Sequence, residues 1–211
     1  MRTAWRWRAL PEQSAGGENE RWFIDRLADE SYRVHAIQLP TDVTDFEREY
    51  LRPVQRYHDA HEPSTVVGHS LGGLVAAHLE TDSSRVYLAP WWGIYGLKQR
   101  GWQSVVVPRL PVRAKIIPID ASREEIGACV TDEQWAALPK RISPVFITEI
   151  HRAQQALLPI SDDDVVFCSL RDTIVSLKAI SEVATSDQVS LYDGGHELFS
   201  SSSGGPRHVM S

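Results

Sequence analysis

The stretch that decides the fold is STVVGHSLGGLVAAHL, residues 64–79. Its opening residues are mostly β-branched, which is typical of a buried strand. From residue 71 onward, apolar side chains recur at helical spacing. Between the two parts lies the glycine-rich segment GHSLGG. The stretch therefore predicts a strand, a sharp turn and a helix, with Ser70 at the turn.

The pattern Gly68-x-Ser70-x-Gly72 is typical of a nucleophile elbow. In such a turn the backbone is strained, the serine hydroxyl stands above the sheet, and the flanking glycines allow neighbouring backbones to approach closely. The helix that follows also stabilises negative charge near its start. A glycine-rich turn with a passive serine is the alternative. The strand before the motif and the apolar helix after it favour Ser70 as a nucleophile.

A serine nucleophile needs a base to accept its proton and a carboxylate to orient that base. Asp172 and His196 follow Ser70 in the chain order that accompanies this elbow. Asp172 comes shortly after a strand candidate, and His196 follows two glycines beyond the last one. Asp193, at the end of that last strand, is a rival to Asp172. For His196 the alternative is an ordinary surface-loop histidine.

Strand and helix candidates alternate along the chain, which predicts an α/β fold with a mostly parallel, doubly wound sheet. The interval of about 91–142 breaks this alternation and predicts a small inserted cap. A single domain should span residues 1–211, with a flexible tail at 200–211. The strand candidates are residues 3–10, 33–39, 64–68, 85–89, 165–169 and 188–192. The helix candidates include residues 20–29, a segment that a Thr44/Glu47 capping box opens, and a segment that starts at 143–144.

Several further polar residues have simpler interpretations. Asp162, Asp163 and Asp164 precede a strand and should be solvated at the end of the sheet away from the site. The pair His58 and His61 should lie at a solvent-facing helix end. His69 should pack within the elbow rather than serve as the base.

Four aromatic residues follow the strand candidate that ends at residue 89. They are Trp91, Trp92, Tyr95 and Trp102. Because the carboxyl end of that strand should border the site, these side chains could wall an apolar acyl pocket or form a lid over it. They could equally pack the insertion onto the core. The sequence leaves both interpretations open.

The composition limits the class of protein. A net charge of −6, with 42% hydrophobic and 24% charged residues, is that of a globular chain and lacks the basic excess that nucleic acids attract. Cys129 and Cys168 form no CxxC pair, so two reduced thiols are expected, with no metal site. No apolar run has the length of a membrane span, and arginines interrupt the N-terminal segment. The expected location is cytoplasmic.

Taken together, the elbow, the Asp172 loop and Gly194-Gly195-His196 resemble the α/β-hydrolase superfamily over most of residues 3–199. The resemblance implies that Ser70 is the nucleophile, His196 the general base and Asp172 its orienting acid. It also implies activity on an ester, thioester, amide or related acyl bond. The core looks trimmed at both ends relative to that superfamily, so a partner subunit, in a homo-oligomer, could cover exposed faces.

One departure from the superfamily concerns the oxyanion hole. Where members commonly carry His-Gly, this chain reads Ala-Leu-Pro-Glu-Gln at residues 9–13. Proline has no N–H, so Pro11 cannot donate. The expected donors are therefore the backbone N–H of Leu71 and that of Glu12 or Gln13.

The sequence thus predicts a cofactor-independent serine hydrolase that cleaves a small-molecule ester or thioester through an acyl-enzyme on Ser70. An acyltransferase or a carbon–carbon bond hydrolase could use the same three residues. A non-catalytic ligand-binding protein on a hydrolase scaffold is the third possibility, and the missing His-Gly motivates it.

Overall fold

The computed structural model describes residues 2–4, 18–93, 112–119, 122–123 and 131–198. The strands in these ranges are β1 (Arg2–Ala4), β2 (Tyr32–Val34), β3 (Thr65–His69), β4 (Ser84–Leu88), β5 (Ile117–Pro118), β6 (Arg141–Ile142), β7 (Val165–Cys168) and β8 (Val189–Leu191). The helices are α1 (Glu18–Asp29), α2 (Arg52–His61), α3 (Leu71–Ala77), α4 (Asp132–Ala137), α5 (Pro144–Gln155) and α6 (Leu177–Val183). A π-helical turn at Glu47–Leu51 leads into α2, and a 3-10 turn at Ser186–Gln188 leads into β8.

The central sheet contains four parallel strands in the order β3-β4-β7-β8. Strands β1 and β2 form a second parallel pair, and β1 also contacts β3. Helices separate the strands along the chain, so the α/β fold that the alternating pattern predicts is confirmed. Because the four central strands run the same way, their carboxyl ends meet at one edge of the sheet. The loops at that edge carry the candidate site.

A continuous apolar core lies against this sheet. Its most buried side chains come from strands and helices far apart in sequence, as expected when helices cover a parallel sheet. Among them are Tyr50, Leu74, Tyr87, Ile150, Val166 and Ile180. Helix α5 starts at Pro144 after the Ser143 cap, as predicted, and contributes Phe146, Ile150 and Ala153 to this core.

The start of the α2 segment differs from the prediction. Glu47 does not complete a capping box with Thr44 but binds the Arg52 side chain. The carboxylate of Glu49 instead accepts hydrogen bonds from both the N–H and the hydroxyl of Thr44. The π-helical turn changes which side chain faces back toward Thr44, because it adds one residue to the turn. Pro53 lies in the first turn of α2, two residues after the π-helical turn, and has no N–H to donate back to it.

Strand β2 is shorter than predicted and ends at Val34 rather than at residue 39. In the part of the chain that the structure describes, it pairs with β1 over three registered residues, from Arg2↔Tyr32 to Ala4↔Val34. Residues 35–40 continue without regular secondary structure.

Two polar residues predicted to be solvated are buried. Asp164 accepts from the backbone N–H of Arg85 at 2.9 Å and from its Nε at 3.0 Å. His58 packs against the loop before β4, where its Nε2 contacts the hydroxyls of Thr81 and Ser83. In both cases a partner on another segment replaces water, so the sequence neighbourhood alone was misleading. Asp162, Asp163 and His61 are exposed, as expected.

The interval 91–142 is described in part. Within it, β5 and β6 form an antiparallel pair, and α4 lies between them in sequence. Its role as a cap stays a prediction, and the tail at 200–211 lies outside the described residues. Cys168 is a buried free thiol, and burial raises its pKa to about 11, whereas Cys129 is not described. No helix in the described ranges has the length and apolar character to cross a membrane.

Candidate active site

Ser70 lies in a strained turn between β3 and α3. Its φ of 50° and ψ of −117° are unusual for a residue with a side chain. The turn is tied to the neighbouring strand because the Ser70 N–H donates to the Leu88 carbonyl at 3.0 Å. The Ser70 carbonyl in turn accepts from the N–H groups of Gly73 and Trp91, at 2.9 Å each. The turn therefore has the backbone conformation that the elbow motif predicts.

The glycines of the motif differ in how much space surrounds them. A Cβ on Gly68 would lie 2.6 Å from the Gly72 carbonyl oxygen, and one on Gly73 would lie 2.7 Å from Cβ of Pro90. A Cβ on Gly72 would meet nothing within 4 Å. Close backbone approach thus requires glycine at 68 and 73, whereas position 72 is open.

The structure brings Ser70, His196 and Asp172 together at the carboxyl edge of the sheet. Nε2 of His196 is 2.9 Å from Oγ of Ser70. Nδ1 of the same ring is 2.9 Å from Oδ2 of Asp172. The side chains join in a single chain of hydrogen bonds, in which His196 is 6% exposed and Asp172 3% exposed. This is the order of contacts that a serine, base and acid arrangement requires.

The carboxylate of Asp172 has hydrogen-bond partners on both oxygens. Oδ1 accepts from the backbone N–H groups of Ile174 at 2.7 Å and Val175 at 3.0 Å, while Oδ2 faces His196. Burial raises the pKa of Asp172, but the hydrogen bond and charge of His196, together with the two N–H donors, outweigh burial and lower the pKa below its ordinary value. The group is therefore held in its ionised form.

The rival carboxylate, Asp193, does not contact the imidazole. It forms an ion pair with Arg171 at 2.9 Å, and both side chains are more than half exposed. Of the two carboxylates that follow strand ends, only Asp172 meets His196 in the described residues.

Two polar residues that the sequence did not single out hold the loop before His196. The Ser169 hydroxyl donates to the Gly194 carbonyl, and the Tyr192 hydroxyl donates to the Gly195 carbonyl, both at 2.5 Å. Ser169 lies directly after β7 and Tyr192 directly after β8, positions at which loops of a parallel sheet meet. Their position after strand ends is the one sequence signal that could have pointed to these two residues, because serine and tyrosine are too common to indicate a site by themselves.

Of the predicted oxyanion-hole donors, the structure describes only Leu71. It is the first residue of α3, and the N–H groups of a helix's first turn have no acceptor within the helix. Glu12 and Gln13 lie outside the described residues, so the second donor stays a prediction.

A cavity of about 380 Å³ opens beside Ser70. Its described lining is mostly apolar and comes largely from α1, the segment after β2, β3, and α3 with the residues just after it. Representative lining residues are Phe23, Ile24, Leu27, Ile37, Leu39, Val75 and Leu79, and Glu20 and Glu197 also border it. Such a volume and lining are typical of small-molecule sites.

The tryptophans predicted as pocket walls lie elsewhere. Trp92 is buried against Tyr87, with 4.8 Å between ring centroids, and its Nε1 donates to the Gly73 carbonyl. Trp91 packs toward Phe146 on α5, with 6.2 Å between centroids. Neither is among the described residues lining the cavity, so the packing interpretation describes both. Their large apolar rings bury more surface in the core than at an open pocket wall. Tyr95 and Trp102 are not described.

Comparisons with known proteins agree with this architecture. Two of the solved structures to which this chain is similar are a monoglyceride lipase from Saccharomyces cerevisiae, in complex with a substrate analogue, and a monoacylglycerol lipase from Paleococcus ferrophilus. The first is 15% identical, with a TM-score of 0.63, and the alignment covers 94% of this chain and 81% of that one. The second is 14% identical, with a TM-score of 0.65 and coverages of 93% and 86%. A putative hydrolase from Agrobacterium vitis is 17% identical, with a TM-score of 0.52 and coverages of 93% and 80%. No curated protein matches the chain significantly.

A parallel sheet with a serine on a strained strand-to-helix turn, and a histidine and an aspartate on later loops of the same edge, defines an α/β-hydrolase-type protein. The alpha/beta hydrolase family profile matches residues 4–203, and the chain belongs to that family.

Proposed function

We propose that the protein is a serine hydrolase that cleaves carboxylic esters through an acyl-enzyme on Ser70. The observation that carries the proposal is the hydrogen-bonded chain of Ser70, His196 and Asp172, with 2.9 Å at each step. In this proposal Ser70 is the nucleophile, His196 the general base and acid, and Asp172 the group that fixes the imidazole tautomer. The N–H of Leu71 is one oxyanion donor.

Acylation starts when Oγ of Ser70 attacks the ester carbonyl carbon and its proton passes to Nε2 of His196. The carbonyl oxygen becomes an oxyanion next to the Leu71 N–H and the start of α3. Asp172 stabilises the imidazolium without taking its proton. When the tetrahedral intermediate collapses, the bond to the alcohol oxygen breaks, and the leaving alcohol takes the proton from His196.

Deacylation repeats these steps with water. His196 removes a proton from the water, the hydroxide attacks the acyl carbonyl, and the second tetrahedral intermediate releases Ser70 as the leaving group. The proton returns from His196 to Oγ of Ser70. The products are a carboxylic acid and the regenerated enzyme.

The cavity beside Ser70 supports an ester with an apolar acyl group, because its described lining is largely aliphatic and aromatic. The yeast and Paleococcus proteins with this fold are named as lipases of monoglycerides and monoacylglycerols, which favours ester over thioester hydrolysis as the first reaction to test. A cytoplasmic location and a homo-oligomer stay predictions that accompany this proposal.

An acyltransferase or a carbon–carbon bond hydrolase would use the same three residues, and product analysis with competing acyl acceptors separates these activities from ester hydrolysis. The binding-protein alternative requires a serine that the base does not reach. The 2.9 Å between Ser70 and His196 favours catalysis over that alternative.

Labelling with a fluorophosphonate probe tests the proposal, because the probe requires an activated serine but little of the substrate. We expect the wild-type protein to be labelled, and folded Ser70→Ala and His196→Ala proteins to resist labelling. A folded wild-type protein that is not labelled would support the binding-protein alternative.

A further inference from the structure

The backbone of the loop that presents His196 is held by side chains at three successive carbonyls. Those of Gly194 and Gly195 accept from Ser169 and Tyr192, as described above. The third is the carbonyl of His196 itself, and its partner is Nε2 of His69, at 3.2 Å. Each carbonyl is therefore tied by a different segment of the structure.

The contact from His69 differs from the other two because of where it originates. His69 is the last residue of β3 and the immediate neighbour of Ser70. Its ring also lies close to the His196 ring, with 5.1 Å between centroids. A carbonyl can only accept, so Nε2 of His69 must carry the hydrogen in this contact. The residue bonded covalently to the proposed nucleophile thus binds the main chain of the proposed base.

We propose that His69 is a positioning residue that sets the distance between Ser70 and His196. This inference rests on the proposed function. Two glycines precede His196, so its loop has little stiffness of its own. The hydrogen bond from His69 ties that loop to the elbow, next to Ser70. The His196 imidazole must lie close to Ser70 to accept its proton, and Nε2 is 2.9 Å from Oγ in the structure. Even a small displacement of the base from the nucleophile strongly lowers the rate of the chemical step.

The experiment compares three variants at position 69 in the full-length protein. Gln places an amide N–H near the position of Nε2, Asn carries the same amide one methylene short of it, and Phe keeps a ring without a donor. We expect His69→Gln to retain most of the wild-type kcat for an ester substrate. We expect His69→Asn and His69→Phe to lose roughly 10- to 100-fold in kcat, with KM little changed. Fluorophosphonate labelling of Ser70 should slow in parallel.

The control for a general effect of replacing a histidine is the variant His151→Phe. His151 is exposed on α5 and contacts neither Ser70 nor His196 in the described structure. Thermal unfolding identifies variants that are not folded, and if His69→Phe fails to fold, the Gln and Asn pair carries the comparison. Equal kcat in folded Gln and Asn variants would overturn the positioning role while leaving the proposed function intact. A wild-type protein with neither labelling nor ester hydrolysis would overturn both.

Discussion

Asp172 binds His196 through one carboxylate oxygen and its own loop through the other. Oδ2 accepts from Nδ1 of the imidazole, while Oδ1 accepts from the N–H groups of Ile174 and Val175. The loop therefore fixes the carboxylate, and the carboxylate fixes which imidazole nitrogen carries a hydrogen. Nε2 is left as an acceptor facing Ser70, the state in which it can remove a proton.

This division of roles makes Asp172→Asn an informative variant. An amide oxygen can still accept from Ile174 and Val175, so the loop should keep its conformation. The amide cannot hold Nδ1–H of His196 in the same way, and we expect kcat for ester hydrolysis to fall about 10⁴-fold with little change in the folded structure. Steady-state kinetics and circular dichroism check these two expectations.

Asp193→Asn is the matched control, because Asp193 also follows a strand end but pairs with exposed Arg171. It should keep wild-type kcat. A larger loss of kcat in Asp193→Asn than in Asp172→Asn would reverse the assignment of the two carboxylates.

The lowered pKa of Asp172 predicts a pH-dependent contribution to stability. A carboxyl group whose pKa is lower in the folded state stabilises that state fully above its unfolded pKa of about 3.9, and the contribution is lost as the pH falls through the lower, folded pKa. The free energy of unfolding of the wild type relative to Asp172→Asn should therefore decrease below about pH 4. Urea unfolding of both proteins as a function of pH measures this difference. A difference that grew on acidification would contradict the lowered pKa.

The elbow glycines should respond unequally to alanine. At Gly68 the new Cβ would meet backbone atoms of Gly72 and Gly73 at 2.6–2.8 Å, and backbone atoms cannot move aside easily. We expect Gly68→Ala to destabilise the fold by about 1–3 kcal/mol, the usual cost of overpacking. Gly72→Ala, with open space at Cβ and a helical position, should unfold at or above the wild-type temperature. Equal melting temperatures for the two variants, by calorimetry, would show that the turn is looser than described.

The buried pair of Arg85 and Asp164 should matter for stability and not for catalysis. It lies at the amino ends of β4 and β7, away from the candidate site, and the side chains are 10% and 1% exposed. Asp164→Leu leaves a buried guanidinium without its carboxylate, with the Ser161 hydroxyl as its remaining contact, and we expect a loss of about 3–5 kcal/mol. The double variant Arg85→Met/Asp164→Leu should recover part of that loss, because it removes the unpaired charge but leaves the backbone N–H groups of Arg85 and Ser161 without the carboxylate. Urea unfolding checks both, and kcat should stay at the wild-type level while the variants are folded.

The strand-turn-helix unit at residues 64–79 was predictable because its signals are local. A β-branched run, two glycines at fixed distances from Ser70 and an apolar helical repeat all lie within sixteen residues. The parallel sheet followed from the alternation of strands and helices. His196 and Asp172 were chosen because both follow strand ends, and the structure places them together with Ser70.

Long-range partners could not be read from the sequence. The position of Asp164 before a strand, at the end of the sheet away from the site, predicts a solvated side chain, yet Arg85, 79 residues away, buries it. For Trp92 the sequence leaves two interpretations, pocket wall and core packing, and the contact with Tyr87 decides for the core. Ser169 and Tyr192 donate to backbone carbonyls. Because every residue has such a carbonyl, the sequence does not show which one a side chain will bind. In each case the deciding contact comes from tertiary packing rather than from a local pattern.

The central claim is that Ser70 carries the acyl group during turnover, and trapping that intermediate tests it most directly. An activated ester is mixed with the protein, the reaction is quenched in acid at early times, and the modified peptide is identified by mass spectrometry. We expect one acyl adduct, on Ser70, that accumulates before steady state and is absent from folded Ser70→Ala. Ester hydrolysis at the wild-type rate by Ser70→Ala, or an adduct on another residue that turns over at the steady-state rate, would contradict the claim.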